Sequence, residues 1–131
     1  MTNANERGYS AKITNCSKEL TAREKIRAKD LADAIALDEE TKAGDVQIEV
    51  DYYLTVEVHN DKADRKDYTK YVIFGKDGNK YVTGSESFWR AFSDIADELL
   101  EADAMDDFII KVIRKPSKNY QGRDFLTCVL A

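Results

Sequence analysis

The sequence feature that most constrains the fold is a long segment of alternating apolar and polar residues. From Val46 to His59 the even-numbered positions are apolar and most odd-numbered positions are polar, which is the period of a β-strand. Fourteen residues at about 3.3 Å each reach roughly 46 Å, longer than a flat sheet in a small protein needs. We therefore expect a strand that bends or coils, as the first strand of a small barrel does.

A hairpin follows this strand. Lys70–Lys76 and Asn79–Gly84 flank Asp77-Gly78, a dipeptide that favours a two-residue turn. With those two residues as the loop, Phe74 faces Tyr81 on one side of the sheet.

A helix and a second hairpin complete this half of the chain. Ser85 can cap a helix that ends near Ala102, with a buried stripe at helical spacing. Phe108–Arg114 and Asp124–Leu130 read as two further strands, joined by the turn-forming segment Lys115–Arg123. The stripe consists of Phe88, Phe92, Ile95 and Leu99.

The N-terminal third is predicted to add a strand and a helix. Tyr9–Asn15 reads as a short strand, and Thr21 begins a capping box for a helix running toward Leu37. The polar stretch Asp38–Gly44 reads as a loop.

The order from Val46 onward is that of a five-stranded OB barrel with its helix between the third and fourth strands. We predict one α+β, β-rich domain over residues 1–131, with an OB-like core at 46–131 and an N-terminal strand and helix extension at 1–45. A length of 131 residues suits one domain. A plain α+β sheet packed by one helix is the alternative.

The charges are unevenly distributed. The net charge is −5, yet Ser93–Asp107 holds acids and no base, whereas Lys111–Phe125 carries five bases against one acid. The molecule is therefore expected to have a basic side, which is the electrostatic requirement for a nucleic-acid partner.

An OB fold binds oligonucleotides or oligosaccharides across its second and third strands and the loops that join strands one to two and four to five, here Asn60–Tyr68 and Lys115–Arg123. Both loops contain several bases and a tyrosine, and single strands need cations for phosphates and flat rings for bases. A one-residue error in register would instead place Phe74 and Tyr81 in the core. The candidate nucleic-acid-binding residues are Lys62, Arg65, Lys66, Tyr68, Phe74, Tyr81, Lys115, Lys118, Tyr120 and Arg123.

Catalytic and metal chemistry have little support. His59 is the only histidine, and with Cys16 and Cys128 it offers at most three soft ligands without metal-like spacing. No disulfide, cofactor or metal is expected, and the glycines fit a hairpin rather than a phosphate loop. Asp94, with the acids three and four residues later, leaves a metal-dependent nuclease open, although such a run is also typical of the wet side of a helix.

Four stretches resemble a known family: Ser17–Thr21, Tyr52–Asn60, Tyr81–Trp89 and Pro116–Phe125. They are similar to small single-stranded DNA-binding proteins of bacteriophages and mobile elements of Gram-positive bacteria. The resemblance implies sequence-independent coating of DNA during replication, with the Ser117–Arg123 loop and aromatic strand residues as contacts.

The expected function is therefore non-enzymatic binding and protection of single-stranded DNA in the bacterial host cytoplasm. No apolar run approaches the roughly 18–20 residues that span a bilayer, and residues 1–7 do not resemble a signal peptide. Replication proteins as partners and a homo-oligomer stay open. The alternative function is binding of a host protein through the acidic surface.

Overall fold

The computed structural model describes residues 9–62, 64, 66–117 and 124–131. The protein is α+β and strand-rich, with a curled half-barrel sheet and three helices. The strands are β1 (Tyr9–Cys16), β2 (Ile35–Ala36), β3 (Val46–Asn60), β4 (Asp67–Gly75), β5 (Lys80–Thr83), β6 (Ile109–Pro116) and β7 (Asp124–Leu130). The helices are α1 (Ala22–Lys29), α2 (Leu37–Glu40) and α3 (Glu86–Glu101), and a 3-10 turn spans Met105–Asp107.

The long strand β3 lies at the centre of the sheet, whose order is β2-β5-β4-β3-β6-β7. One edge of β3 pairs with β4. The other edge is shared, because Val46–Glu49 pair with β6 and Leu54–Asn60 pair with β1. The predicted strands at Tyr9, Val46, Phe108 and Asp124 are thus present within one or two residues of their expected bounds.

A register shift between Val50 and Tyr52 bends β3. Before the shift, Ile48 and Val50 pack in the core that contains α3. After it, Tyr52 and Leu54 pack in a second core on the opposite face of the sheet. The expected bend is therefore a β-bulge, which inserts one residue and turns the strand.

Two apolar cores follow from this arrangement, one on each face of the sheet. Phe88 and Phe92 of α3 belong to the larger core, whereas Ala28 of α1 belongs to the smaller one. The two helices therefore cover opposite faces of the sheet. Ser85 caps α3 by accepting a hydrogen bond from the Phe88 amide at 3.2 Å, as the sequence predicted.

The β4–β5 hairpin differs from its predicted register by one residue. Phe74 lies opposite Lys80, and Tyr81 lies opposite Ile73. The loop has three residues instead of two, with the amide of Gly75 donating to the Asn79 carbonyl at 2.9 Å. Its last residue, Gly78, has φ +88, the left-handed conformation with which three-residue hairpin loops end. Phe74 and Tyr81 consequently lie on opposite faces of the sheet.

Helix α1 begins as predicted and ends earlier. The Thr21 hydroxyl accepts from the Glu24 amide at 3.2 Å, and the Glu24 carboxylate accepts from the Thr21 amide at 3.0 Å. Asp30 leaves the helical region, so the expected continuation to Leu37 is wrong. Asp30, the first residue after the helix, stabilises the next turn of the chain, since its carboxylate accepts a hydrogen bond from the Ala32 amide at 3.2 Å.

A buried lysine fixes the end of α1. The side chain of Lys80 on β5 is 2% exposed. Its Nζ donates to the carbonyl oxygens of Arg27, at 2.7 Å, and Asp30, and it pairs with the Asp33 carboxylate at 2.6 Å. The bond from Lys80 holds the pKa of Asp33 below its usual range. These bonds satisfy carbonyls that a helix end leaves free, so β5 determines where α1 stops.

The segment expected to be a polar loop contains the short helix α2. Leu37 is fully buried in the larger core, which holds this turn of helix against the sheet. Arg114 of β6 donates from Nε to the Thr41 hydroxyl at 2.9 Å and from its guanidinium to the Asp38 carbonyl. Arg114, one of the cations expected on the basic side, therefore stabilises the fold by binding the α2 segment.

Candidate nucleic-acid interface

The connection between β3 and β4 places two of the candidate cations in solvent. Lys62 and Lys66 are both exposed. The backbone around them is held locally, because Asn60 accepts from the Lys62 amide at 3.0 Å through its side chain and donates to the Lys66 carbonyl at 2.7 Å. Arg65, the third candidate cation of this loop, lies outside the described residues.

His59 joins the two ends of this connection. Its Nδ1 lies 2.7 Å from an Asp67 carboxylate oxygen, and its Nε2 lies 2.7 Å from an Asp61 carboxylate oxygen. The hydrogen bond to Asp67 and then that to Asp61 raise the pKa of His59. The imidazole therefore has a structural role here, since it links Asp61 to Asp67 across the two ends of the connection.

Tyr68 is half-buried at the edge of the smaller core. The Lys70 ammonium lies 5.7 Å from the centre of its ring, within the range of a cation–π contact. Part of this ring therefore remains accessible beside a cation.

The surface next to Tyr68 is less favourable to phosphate. A groove there is lined by Glu57, Asp67 and Glu86, with Lys70 as its cation. The Thr69 hydroxyl donates to the Glu57 carboxylate at 3.0 and 3.1 Å. Three carboxylates in one groove repel a polyanion, so this side of β4 does not suit a DNA backbone.

The expectation that Phe74 and Tyr81 face solvent is wrong. They are only 3% and 6% exposed. Phe74 stacks on Tyr52 with ring centres 4.3 Å apart, and the Arg27 guanidinium of α1 lies 5.6 Å from its ring centre. Tyr81 packs in the larger core on the other face. The N-terminal segment covers the first ring, and the hairpin register turns the second inward.

The β6–β7 hairpin presents a solvent-facing surface that combines cations with apolar groups. Lys111 lies opposite Val129, and Lys115 lies opposite Phe125. Both lysines are exposed, and Phe125 and Val129 are 37% and 40% exposed. The alternate positions of β7, Leu126 among them, are buried in the larger core. We call Lys111, Lys115, Phe125 and Val129 the hairpin face.

Phe125 was missing from the sequence-based candidates. The alternation of the strand could have identified it, because a strand β7 that buries Leu126 and Cys128 must direct Phe125 toward solvent. Pro116 pairs with Asp124, so the connection starts directly beyond the Lys115 and Phe125 pair. Lys118, Tyr120 and Arg123 in that connection lie outside the described residues.

The two candidate loops do not adjoin each other along β3. The β3–β4 connection follows the end of β3 at Asn60. Strand β6 runs antiparallel to the first residues of β3, with Val112 opposite Val46. The described ends of the two connections therefore lie toward opposite ends of β3, which speaks against one shared patch; residues 118–123 of the second connection lie outside the described residues.

Other chemistry finds little support in the described part of the chain. No three His, Cys, Asp or Glu side chains among those residues come together as metal ligands, and Asp94, Asp97 and Glu98 are exposed on α3. Cys16 and Cys128 are free thiols, and burial raises the pKa of Cys128 to about 12. Among the same residues, none of the helices has the length and apolar character needed to cross a membrane.

Comparison with known proteins identifies the family. The family model described as "Phage Single-stranded DNA-binding protein" matches residues 36–131, most of the chain. This match does not support the alternative of host-protein binding through the acidic surface. No curated protein and no solved structure gives a significant match. The chain therefore belongs to the family of phage single-stranded DNA-binding proteins.

Proposed function

We propose that this protein coats single-stranded DNA without sequence preference, protects it from nucleases and acts in phage or mobile-element DNA replication in the bacterial host cytoplasm. The observation that carries the proposal is the family match over residues 36–131. The hairpin face supports it, because it supplies the two components that single-strand binding needs, cations and an accessible aromatic ring.

The proposed fold assignment is OB-like. The order β3, β4, β5, α3, β6, β7 and the pairing of one long strand with both β4 and β6 favour it. An OB barrel is partly open. A pairing of β5 with β7, which would close it, is not among those formed by the described residues, and α3 packs against β7 instead.

The primary proposed contact is the hairpin face. Lys111 and Lys115 lie four residue pairs apart on β6, an even number, so both side chains point to the same side of the sheet. Phe125 lies directly across from Lys115, so a base stacked on the ring has a phosphate partner next to it. The connection beyond this pair adds the candidates Lys118, Tyr120 and Arg123.

A second proposed contact lies at the other end of β3. Lys62, Arg65 and Lys66 supply charge there, and Tyr68 supplies a partly accessible ring for a base, while the adjoining carboxylate-lined groove excludes phosphate. Because this patch is separated from the hairpin face by the length of β3, one strand of DNA would have to follow the curled sheet to reach both.

A fluorescence titration tests the function. Thymidine homopolymer added to the protein should quench tyrosine or tryptophan emission, and the affinity should fall steeply between about 50 and 200 mM salt, with a slope of roughly 0.7 per phosphate contact. Bound DNA should also resist nuclease digestion. Absence of binding at low salt, or binding indifferent to salt, would contradict the proposal.

Substitution of Phe125 tests the surface. Loss of one stacked base is worth about 1–3 kcal/mol, so Phe125→Ala should weaken binding roughly 5- to 150-fold. Leu130→Ala is the matched control, since Leu130 is a 50% exposed apolar residue of the same strand outside the hairpin face. Equal affinities of the two variants would remove Phe125 from the interface.

Substitution of the lysines tests the electrostatic part. Lys111→Ala and Lys115→Ala should each reduce the salt slope by about 0.7. Lys42→Ala, which removes an exposed lysine that pairs with Glu39 at 3.2 Å, should leave the slope unchanged. A slope that all three variants share with the wild type would place the phosphate contacts elsewhere.

A further inference from the structure

Helix α1 exposes a row of side chains on its solvent-facing side. Ile26 is 71% exposed, the highest value among the large apolar residues described as exposed. Arg23 and Lys29 lie three residues before and after it, which places them beside it on the helix surface. We call Arg23, Ile26 and Lys29 the basic ridge.

The neighbouring charges leave the basic ridge positive. Glu24 is the one acid of the helix sequence, and it is held by Lys18 at 2.8 Å and by the Thr21 cap. The hydrogen bond from Lys18 lowers the pKa of Glu24 to about 2. Within the described part of the chain, Arg23 and Lys29 make no ion pair or side-chain hydrogen bond.

The C-terminal end of α3 carries an exposed leucine flanked by residues of the opposite charge. Leu100 is 65% exposed, the second highest value of that group. Asp97 lies three residues before it on the helix. Asp103 follows the C-cap Ala102 in the left-handed conformation (φ +54°), so it flanks Leu100 from the turn that ends the helix, and both acids are exposed. Neither carboxylate has an ion-pair partner among the described residues. We call Asp97, Leu100 and Asp103 the acidic ridge.

These two ridges cannot meet within one molecule, because α1 and α3 pack on opposite faces of the sheet. We propose that the basic ridge of one copy docks on the acidic ridge of the next, with Ile26 against Leu100 and the flanking bases against the flanking acids. The occupant of each ridge is thus a second copy of this chain.

Such a contact joins two different surfaces and is therefore head-to-tail, so it generates a row or a ring of copies rather than a closed pair. A row suits a lattice with direction, such as a single strand of nucleic acid. The contact itself does not depend on DNA binding. Because the contact is small, it belongs among the weak interfaces. It should therefore form mainly when a shared DNA strand raises the local concentration of copies.

Charge reversal tests the contact. At about 50 mM salt, sedimentation of the wild type over a range of concentrations should show reversible association, which high salt weakens. Arg23→Glu with Lys29→Glu should reduce the association constant by at least about 10-fold, because two attractive pairs become repulsive. Asp97→Lys with Asp103→Lys should do the same. Lys42→Glu with Lys76→Glu makes the same change in net charge as the Arg23 and Lys29 double variant, lies outside both ridges and should have no such effect.

Mixing the two reversed variants is the decisive step. Each has two ridges of the same sign and should stay monomeric alone, but the mixture contains complementary ridges and should associate like the wild type. A mixture that stays monomeric, or a wild type that is monomeric up to about 1 mM at low salt, overturns the proposal.

DNA binding separates this inference from the proposed function. A thymidine oligomer that holds one copy should bind the wild type and the Arg23→Glu, Lys29→Glu variant within about 2-fold of each other once the charge-matched control is used as reference. A long homopolymer should bind the variant at least about 5-fold more weakly and without cooperativity. No binding to either DNA contradicts the proposed function alone, whereas equal cooperative binding of variant and control contradicts the contact.

Discussion

The buried ammonium of Lys80 should be one of the most important polar contributions to the stability of this protein. Lys80→Met keeps the aliphatic stem and removes hydrogen bonds from a charged donor to the carbonyls of Arg27 and Asp30. Bonds of this kind contribute about 1.5–3 kcal/mol each. We take the lower end because Arg27 and Asp30 are exposed residues, so water can partly replace the lost ammonium at their carbonyls, and we count nothing for Asp33, which is 66% exposed. The expected loss in the free energy of unfolding is about 3 kcal/mol.

Urea unfolding followed by circular dichroism measures this loss. Lys76→Met is the matched control, since Lys76 is exposed at the neighbouring hairpin turn and lies 3.7 Å from Glu49, a pair worth less than about 1 kcal/mol. The pKa of Asp33 should also rise toward its ordinary value in Lys80→Met. A variant within about 1 kcal/mol of the wild type would refute the assignment of Lys80 as the anchor of α1.

Three further outcomes follow from the structure. An NMR titration of His59 should give a midpoint above about 6.5, because its two carboxylate partners raise its pKa. The two hydrogen bonds should therefore stabilise the β3–β4 connection fully below about pH 6.5 and lose this effect as the pH rises through the raised pKa. A lower midpoint would contradict the geometry. A thiol reagent should modify Cys16 in the native protein and Cys128 only after unfolding, because burial raises the pKa of Cys128 to about 12; two fast thiols would disprove this. Gly78→Ala should lower the free energy of unfolding by about 1–2 kcal/mol, because alanine is strained at a φ of +88°. No clash adds to this strain, since no atom lies within 4 Å of the added carbon. Gly84→Ala should lower the free energy of unfolding by less, and the reverse order would speak against the three-residue loop.

The features that the sequence alone could predict are those set by local pattern. The alternation after Val46, the Ser85 and Thr21 caps and the apolar stripe beginning at Phe88 all depend on neighbours within a few residues. The structure confirms them for that reason, since strand period and capping are local properties.

The features that could not be predicted depend on distant residues. Helix α1 stops at Lys29 because Lys80, from another element, binds its last carbonyls. The burial of Phe74 depends on α1 covering that face, a packing that no local pattern specifies. The one-residue shift at Gly78 was within the reach of the sequence, because Asp-Gly suits a three-residue loop as well as a two-residue one.

The candidate site was predictable in composition and less so in position. The basic C-terminal segment was recognised from its charges, and Lys111 and Lys115 are indeed exposed. Arg114, between them, instead binds α2 through Thr41. A count of charges does not distinguish a cation that faces solvent from one that hydrogen-bonds within the fold. The alternation of side chains along the strand does distinguish them, because Arg114 has the parity of the buried Val112.

The shared edge of β3 has a consequence for the growing polypeptide. Its pairs with β4 need only a short loop to form, but the partner of Val46–Glu49 is β6, which is synthesised much later. Pairings between distant segments form slowly. Until β6 emerges from the ribosome, the first residues of β3 present unpaired backbone groups of the kind that recruit strands from other chains. Nascent chains halted before Ile109 should therefore be the form of this protein most prone to aggregate.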